Sequence, residues 1–241
     1  MTARRSVLLI HGMSSSRRTW WRVGPDLEAR GWDVGTVDLA GHGGRSIGAV
    51  RSVAALAEDV VAQHPACPTL VVGHSLGAIV ALELVAAMPT YTRGLVLEDP
   101  PALSARRGTG DIAGDIEREV MRARADPHSA IEAMLAGHPL WNRRDARTML
   151  EGRLMTDPQV AQLSRGDLTW NLPALIAGCP VPMALVAAFG RESALLDPDR
   201  SELLRLLPPE RVTEIPGSHH VHVDEPTKWV DAIDTFGDSL I

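Results

Sequence analysis

The stretch Thr69-Leu70-Val71-Val72-Gly73-His74-Ser75-Leu76-Gly77-Ala78 decides the fold. Thr69 to Val72 is an apolar, β-branched run that reads as a buried strand, and Ile79 to Ala87 reads as a helix. Between them stands Gly-x-Ser-x-Gly, with a glycine two residues to either side of Ser75. Crowding explains that spacing. A serine on a sharp strand-to-helix turn holds strained backbone angles, and side chains at 73 and 77 collide with neighbouring backbone. The turn pushes the Ser75 hydroxyl outward, and the helix that follows aims its first N–H groups at whatever binds there.

Working outward, the same strand–helix rhythm recurs. Ser6 to Ile10 is a short strand running into His11-Gly12-Met13, and Ser14 to Arg18 is a polar loop. A helix follows from Thr19 to about Arg30, then a strand from Asp33 to Val37. Ser52 to Gln63 carries the stripe of an amphipathic helix, with apolar residues at 53, 56, 57, 60 and 61. Gly94 to Leu97 is a strand that ends at Glu98-Asp99-Pro100-Pro101. This alternation predicts a parallel sheet with right-handed crossovers.

The rhythm breaks over 102–172. Ile112 to Ala125, Ser129 to Ala136, Asp145 to Leu154 and Pro158 to Ser164 all read as helical, with no strand among them. An insertion of helices into a strand–helix alternation reads as a cap over the carboxyl ends of the sheet. Alternation resumes with a strand at Pro182 to Ala188, a helix at Arg200 to Leu207, a strand at Arg211 to Ile215 and a helix at Pro226 to Phe236. The expected organisation is a core of 1–101 and 173–241 with a helical cap of 102–172.

The totals are those of a water-soluble enzyme-sized domain. The chain has 241 residues, 45% of them hydrophobic and 22% charged. A net charge of −6 speaks against a nucleic-acid or anionic-membrane surface. Cys67 and Cys179 form neither a disulfide framework nor a metal-ligand spacing, which fits a reducing cytoplasm. Met1 to Ser6 is too short for a signal peptide, and no run reaches the ~18 apolar residues of a membrane span. Lys228 is the only lysine; the basic charge is otherwise arginine, and with abundant Ala and Gly this suggests a high-GC bacterial source.

Four motifs together resemble the α/β-hydrolase family: His11-Gly12 after the first strand, Asp38 with Gly41-His42-Gly43, Gly73-His74-Ser75-Leu76-Gly77, and Gly217-Ser218-His219. They run over nearly the whole chain in the family's order. The resemblance implies an α/β-hydrolase fold with a mostly parallel sheet of about six strands. The chain starts where the family's third strand usually lies, so the family's first antiparallel hairpin is missing.

The resemblance also implies roles. Ser75 is the nucleophile, and it needs a base to take its proton. His219 matches the family position in Gly-x-His, while His220 and His222 are read as pocket wall and packing. The oxyanion donors are the backbone N–H groups of Leu76 and Met13. The third member is open. The family's usual Gly-x-x-Asp after the Pro182 strand is replaced by Phe189-Gly190-Arg191-Glu192-Ser193, so Glu192 is the nearest acid there. A minority of the family, including one branch of haloalkane dehalogenases, carries the acid one strand earlier, which here is Asp99. Met13, His74, Trp141 and His220 are expected to line the substrate pocket. His11, Asp38 and His42 are expected to be structural.

The function implied is a cytoplasmic serine hydrolase acting on a small carboxylic ester, lactone or thioester, as a monomer or homodimer, with no cofactor or metal and no nucleic-acid or membrane partner. Serine at position 75 argues against haloalkane dehalogenase and epoxide hydrolase chemistry, which use aspartate there. Two alternatives stay open: an acyl transferase, cyclase or lyase on the same site, and a ligand-binding receptor on a hydrolase fold.

Overall fold

A computed structural model describes residues 5–101, 112–160, 170–189, 193–195 and 199–240. Six strands, β1 (Arg5–Ile10), β2 (Trp32–Val37), β3 (Leu70–His74), β4 (Gly94–Glu98), β5 (Met183–Phe189) and β6 (Val212–Pro216), form one sheet. The order is β2-β1-β3-β4-β5-β6, and every neighbouring pair is parallel. Parallel strands need crossovers, so helices cover both faces; the central strands β3 and β4 are buried from end to end, while the edge strands β2 and β6 carry exposed Asp33, Thr213 and Glu214.

Period-two alternation sorts the strand residues between two cores. Leu8, Ile10, Val71, Leu95, Leu97 and Leu185 pack with α2 (Val53–Gln63) and α3 (Leu76–Ala87). Val7, Leu9, Val72, Val96 and Val186 face the other way, against α1 (Val23–Ala29) and the final helix, which carries Trp229, Val230, Ile233 and Phe236. Helix α3 is apolar on every side because both it and the strand before it lie in the centre of the molecule; its residues from Leu76 to Leu82 are all buried.

Between β4 and β5 run α4 (Ile112–Ala125), α5 (Pro127–Gly137), α6 (Arg143–Leu154) and α7 (Leu172–Ala177). Helix α5 starts where Asp126 accepts from Ser129 N–H with Pro127 in the first turn, and α6 starts at a capping box between Asn142 and Asp145. Helices α4 to α6 share a small apolar core of Ala123, Met134, Trp141, Ala146, Met149 and Leu150, to which Val223 of the main body adds. Gly152 lies flush on the main body: a Cβ there would sit 2.9 Å from Ser15 Cα. After β5 come α8 (Asp199–Leu206), α9 (Val221–Asp224) and α10 (Pro226–Asp238). Among the described residues, no helix is long and apolar enough to cross a membrane.

Several boundaries differ from the sequence expectation. The single helix expected from Thr19 is a 3-10 turn, Arg17–Trp21, capped by Ser16, followed by the separate α1. Helices α7 and α9 span 6 and 4 residues, too short to show a period. The expected Pro158 to Ser164 helix lies mostly outside the described residues, as does Glu192.

Backbone packs against backbone at the turn after β3. A Cβ on Gly77 would lie 2.3 Å from the carbonyl oxygen of Ile10, and one on Gly73 would lie 2.3 Å from that of Gly77. Both neighbours are backbone and have nowhere to go. Gly77→Ala is therefore expected to destabilise the protein by about 2 kcal/mol or more. Urea unfolding followed by circular dichroism measures this, and an unchanged midpoint would contradict the packing described.

Candidate active site

Ser75 ends β3 and begins α3 with φ 53° and ψ −120°, a conformation that side chains other than glycine rarely hold. Its N–H donates to the Glu98 carbonyl at 2.9 Å, which ties the turn to β4. The register Ile10↔Gly73 sets His11-Gly12-Met13 beside His74-Ser75-Leu76. Contact is close, since a Cβ on Gly12 would lie 2.9 Å from Ser75 Cβ. The backbone next to the Ser75 side chain thus comes from the loop after β1 and the start of α3. These are the two segments from which Met13 and Leu76 were expected to supply N–H donors.

The β1 loop is held rigid by two neutral histidines. His11 donates from Nδ1 to the Gly12 carbonyl (2.7 Å) and accepts the Leu39 N–H at Nε2 (3.1 Å). His42 donates from Nδ1 to the Ala40 carbonyl (3.1 Å) and accepts the Ser14 N–H at Nε2 (3.2 Å). Each ring needs one protonated and one bare nitrogen, so a second proton would break a bond. Burial pushes the pKa of His11 down to about 4. It pushes His42 to about 3, with the neighbouring His11 ring adding to the shift. Asp38 accepts the Arg17 N–H at 2.7 Å and leaves room only for glycine at 43, where a Cβ would lie 2.3 Å from its carboxyl carbon.

Register Glu98↔His74 sets Asp99 alongside Ser75 on the next strand. Asp99 is fully buried and has φ 40°. Its carboxylate accepts from Ala188 N–H (3.2 Å), Ser193 hydroxyl (2.7 Å) and Ala194 N–H (2.7 Å). The fourth donor is Nδ1 of His219, at 2.6 Å. That bond leaves Nε2 of His219 as the bare nitrogen of a neutral ring. Ser193 and Ala194 were not foreseen, because a serine in a short loop and a backbone amide carry no sequence signal.

His219 sits in a loop anchored from several sides. Nε2–H of His74 donates to the His219 carbonyl at 2.9 Å, and the two rings lie 4.6 Å apart. His74 is itself fully buried; burial first, then the rings of His219, His222 and His220, hold it neutral with a pKa well below the usual histidine range. His220 is half-buried between His74 (5.2 Å) and Trp141 (5.5 Å). Trp141 is buried in the small core of α4 to α6, stacked 4.0 Å from His138, and its indole N–H donates to Asp224 at 2.7 Å. Asp224 also accepts the Ser218 N–H at 2.5 Å, so one carboxylate joins Trp141 to the residue before His219. Arg22 adds a second tie, reaching both the Asp145 carboxylate (2.9 Å) and the Val223 carbonyl (3.0 Å).

The arrangement brings together a strained serine and a saturated buried carboxylate at the ends of two adjacent strands, β3 and β4, and a histidine in the loop after β6. Such a set suits proton abstraction from a hydroxyl and acyl transfer to it. A model of the Alpha/beta hydrolase family matches residues 7–232. Lipase LipV of Mycobacterium tuberculosis is 39% identical over 190 residues, which are 70% of this chain and 64% of that protein. A pimeloyl-[acyl-carrier protein] methyl ester esterase of Neisseria meningitidis is 40% identical over 93 residues, 39% of this chain and 35% of that enzyme. The matched segment therefore spans about a third of that esterase's length. Among solved structures, N-formylmaleamic acid deformylase from Pseudomonas putida S16 superposes with a TM-score of 0.76 at 24% identity, covering 95% of this chain and 91% of that one. The thioesterase domain from the curacin biosynthetic pathway gives 0.73 at 19% identity, covering 98% and 92%.

The buried histidines make a pH prediction. Unfolded, His11 and His42 bind a proton near pH 6.5, whereas in the native protein they stay neutral down to about pH 4 and about pH 3. Below pH 6.5 the unfolded state therefore holds more protons, and each ring lowers stability by up to about 1.4 kcal/mol per pH unit. Urea midpoints should fall steadily from pH 7 to pH 5, above the carboxylate range, and less steeply in His42→Asn. A flat profile would contradict the neutral assignment.

Proposed function

The chain belongs to the alpha/beta hydrolase family, and on that premise we propose that it is a serine hydrolase cleaving a carboxylic ester, lactone or thioester through an acyl-enzyme on Ser75. In this reading Nε2 of His219 takes the Ser75 hydroxyl proton as the oxygen attacks the substrate carbonyl. The Leu76 and Met13 N–H groups stabilise the oxyanion. His219 then gives its proton to the departing alcohol or thiol, and finally activates the water that releases the acid. Asp99 keeps the proton on Nδ1 and stabilises the imidazolium formed in each half-reaction.

The observation that carries the reading is the 2.6 Å bond from His219 Nδ1 to Asp99, on a carboxylate whose other donors are all protein groups. A saturated, buried anion is fixed in place and does not swing away from the ring. Similarity to a lipase and to methyl ester esterases favours ester substrates over other acyl compounds. Met13 packs beside the apolar core and His220 is half-buried, so these two are assigned to the acyl and leaving-group walls. His74 and Trp141 contribute to that wall from beneath, through His219 and His220. The lack of the family's usual acid after β5 is what keeps the receptor alternative open, and the Asp99 bond to His219 supports the hydrolase reading over it.

Pre-steady-state kinetics with p-nitrophenyl butyrate test the proposal. Wild type should release a burst of nitrophenol stoichiometric with enzyme, and Ser75→Ala should show none. Asp99→Asn should fold normally and lower kcat by about four orders of magnitude. Turnover that persists in Ser75→Ala, or a wild type with no burst on esters, lactones or thioesters, would overturn the assignment.

A further inference from the structure

Directly behind the proposed triad lies a second, fully buried carboxylate–histidine pair that the mechanism above does not use. Glu98 and His222 are both at the centre of the molecule, with side chains fully buried. One oxygen of Glu98, Oε1, accepts two donors from the same residue: the His222 backbone N–H at 2.9 Å and its ring Nδ1–H at 2.7 Å. On the far side of the ring, Nε2 accepts from the Thr19 hydroxyl at 2.7 Å. The ring is also packed 4.4 Å from Trp20 and 5.0 Å from His74. Residue 222 is thus fixed in backbone and side chain at once.

Stability alone does not account for this pair. Oε2 of Glu98 and Nδ1 of His74 are buried without a hydrogen-bond partner, and an unmatched buried oxygen on a carboxylate costs free energy. Apolar residues of similar size among Trp20 and Trp229 would fill the same space without the unmatched carboxylate oxygen, at the expense of the acceptor for the His222 backbone N–H. What the pair does hold is the loop. Glu98 ends β4 and Asp99 follows it, and His222 and His219 are three apart in the chain, so adjacent carboxylates grip the two ends of the segment that carries the base. His74, which pairs with Glu98 across β3 and β4, adds the bond to the His219 carbonyl. A loop tied only at Asp99 could pivot about that bond and carry Nε2 away from Ser75. The bond at residue 222, with those to the His219 carbonyl and Ser218 N–H, opposes that pivot from the far side of the base.

We propose that Glu98 and His222 are positioning residues for the general base, fixing the turn that bears His219 and with it the place of the imidazole. The inference rests on the assignment of His219 as base. Displacing a reacting group by a fraction of an ångström lowers turnover while leaving ground-state binding alone. The double variant Glu98→Leu/His222→Phe keeps the space filled with apolar groups but leaves the buried backbone N–H of residue 222 and the Thr19 hydroxyl without their partners, so it should fold with a lowered melting temperature. Its kcat on p-nitrophenyl butyrate should fall by about tenfold to a hundredfold with KM unchanged. The downfield proton resonance of His219 Nδ1–H should broaden or shift. Glu98→Gln, which still offers an oxygen to both His222 donors, should retain kcat within about threefold of wild type.

Turnover in the double variant within about twofold of wild type, with the resonance unmoved, overturns the proposal. So does a loss in Glu98→Gln as deep as in the double variant, since the charge rather than the anchoring would then matter. If the double variant does not fold, Thr19→Val decides. That change frees the far side of the His222 ring and should lower kcat at constant KM, whereas unaltered kcat overturns the proposal. Wild type and Ser75→Ala are run in parallel. Turnover in wild type that does not depend on Ser75 faults the hydrolase mechanism itself and is thereby told apart from a failure of the positioning role.

Discussion

The hydrogen bond from His219 to Asp99 joins the two halves of the molecule that the site needs. Asp99 belongs to the centre of the sheet, and His219 to the loop that leaves its edge. For the bond to form, β4 must end in a residue at φ 40°, and β5 must present the Ala188 N–H to the same carboxylate. The segment after β5 must then close over it with Ser193 and Ala194. Two of these donors are backbone N–H groups and the third is the Ser193 hydroxyl, so backbone position sets most of the cradle. Three protein donors and the imidazole solvate the buried carboxylate in place of water.

The same economy of backbone contact governs the serine. Gly12, Gly73 and Gly77 let β1, β3 and α3 approach to distances at which a single Cβ would collide. The loop after β1 is in turn braced by His11 and His42, which are neutral because burial forbids their charge. Helices α4 to α6 are not a detached layer over this machinery. Trp141 and Asp145 reach into the main body and hold the His219 loop through Asp224 and Arg22.

How much of this was legible in the sequence follows from the range of each interaction. The elbow at Ser75 was readable because its glycines, strand and helix are local and obey steric rules that need no partner. The central strands were readable because burial on both faces leaves them almost wholly apolar. The acid was not readable: Asp99 and Glu192 lie on different segments, and only the tertiary register tells which one meets the imidazole. Residue 192 lies outside the described residues, while Asp99 is at hydrogen-bond distance from His219. Glu98 looked like the polar end of a strand, and His222 like packing, because their pairing spans 124 positions of sequence. Trp141 carried no sign that its N–H was committed to Asp224. The short helices α7 and α9 were missed for a simpler reason, since one turn shows no period.

The most direct test of the account is covalent labelling of the protein with a fluorophosphonate, followed by peptide mass spectrometry and by the rate of labelling in Asp99→Asn. The account predicts a single adduct on Ser75 that forms orders of magnitude more slowly when Asp99 no longer holds the proton on His219 Nδ1. An adduct on another residue, or a labelling rate indifferent to Asp99, would contradict it.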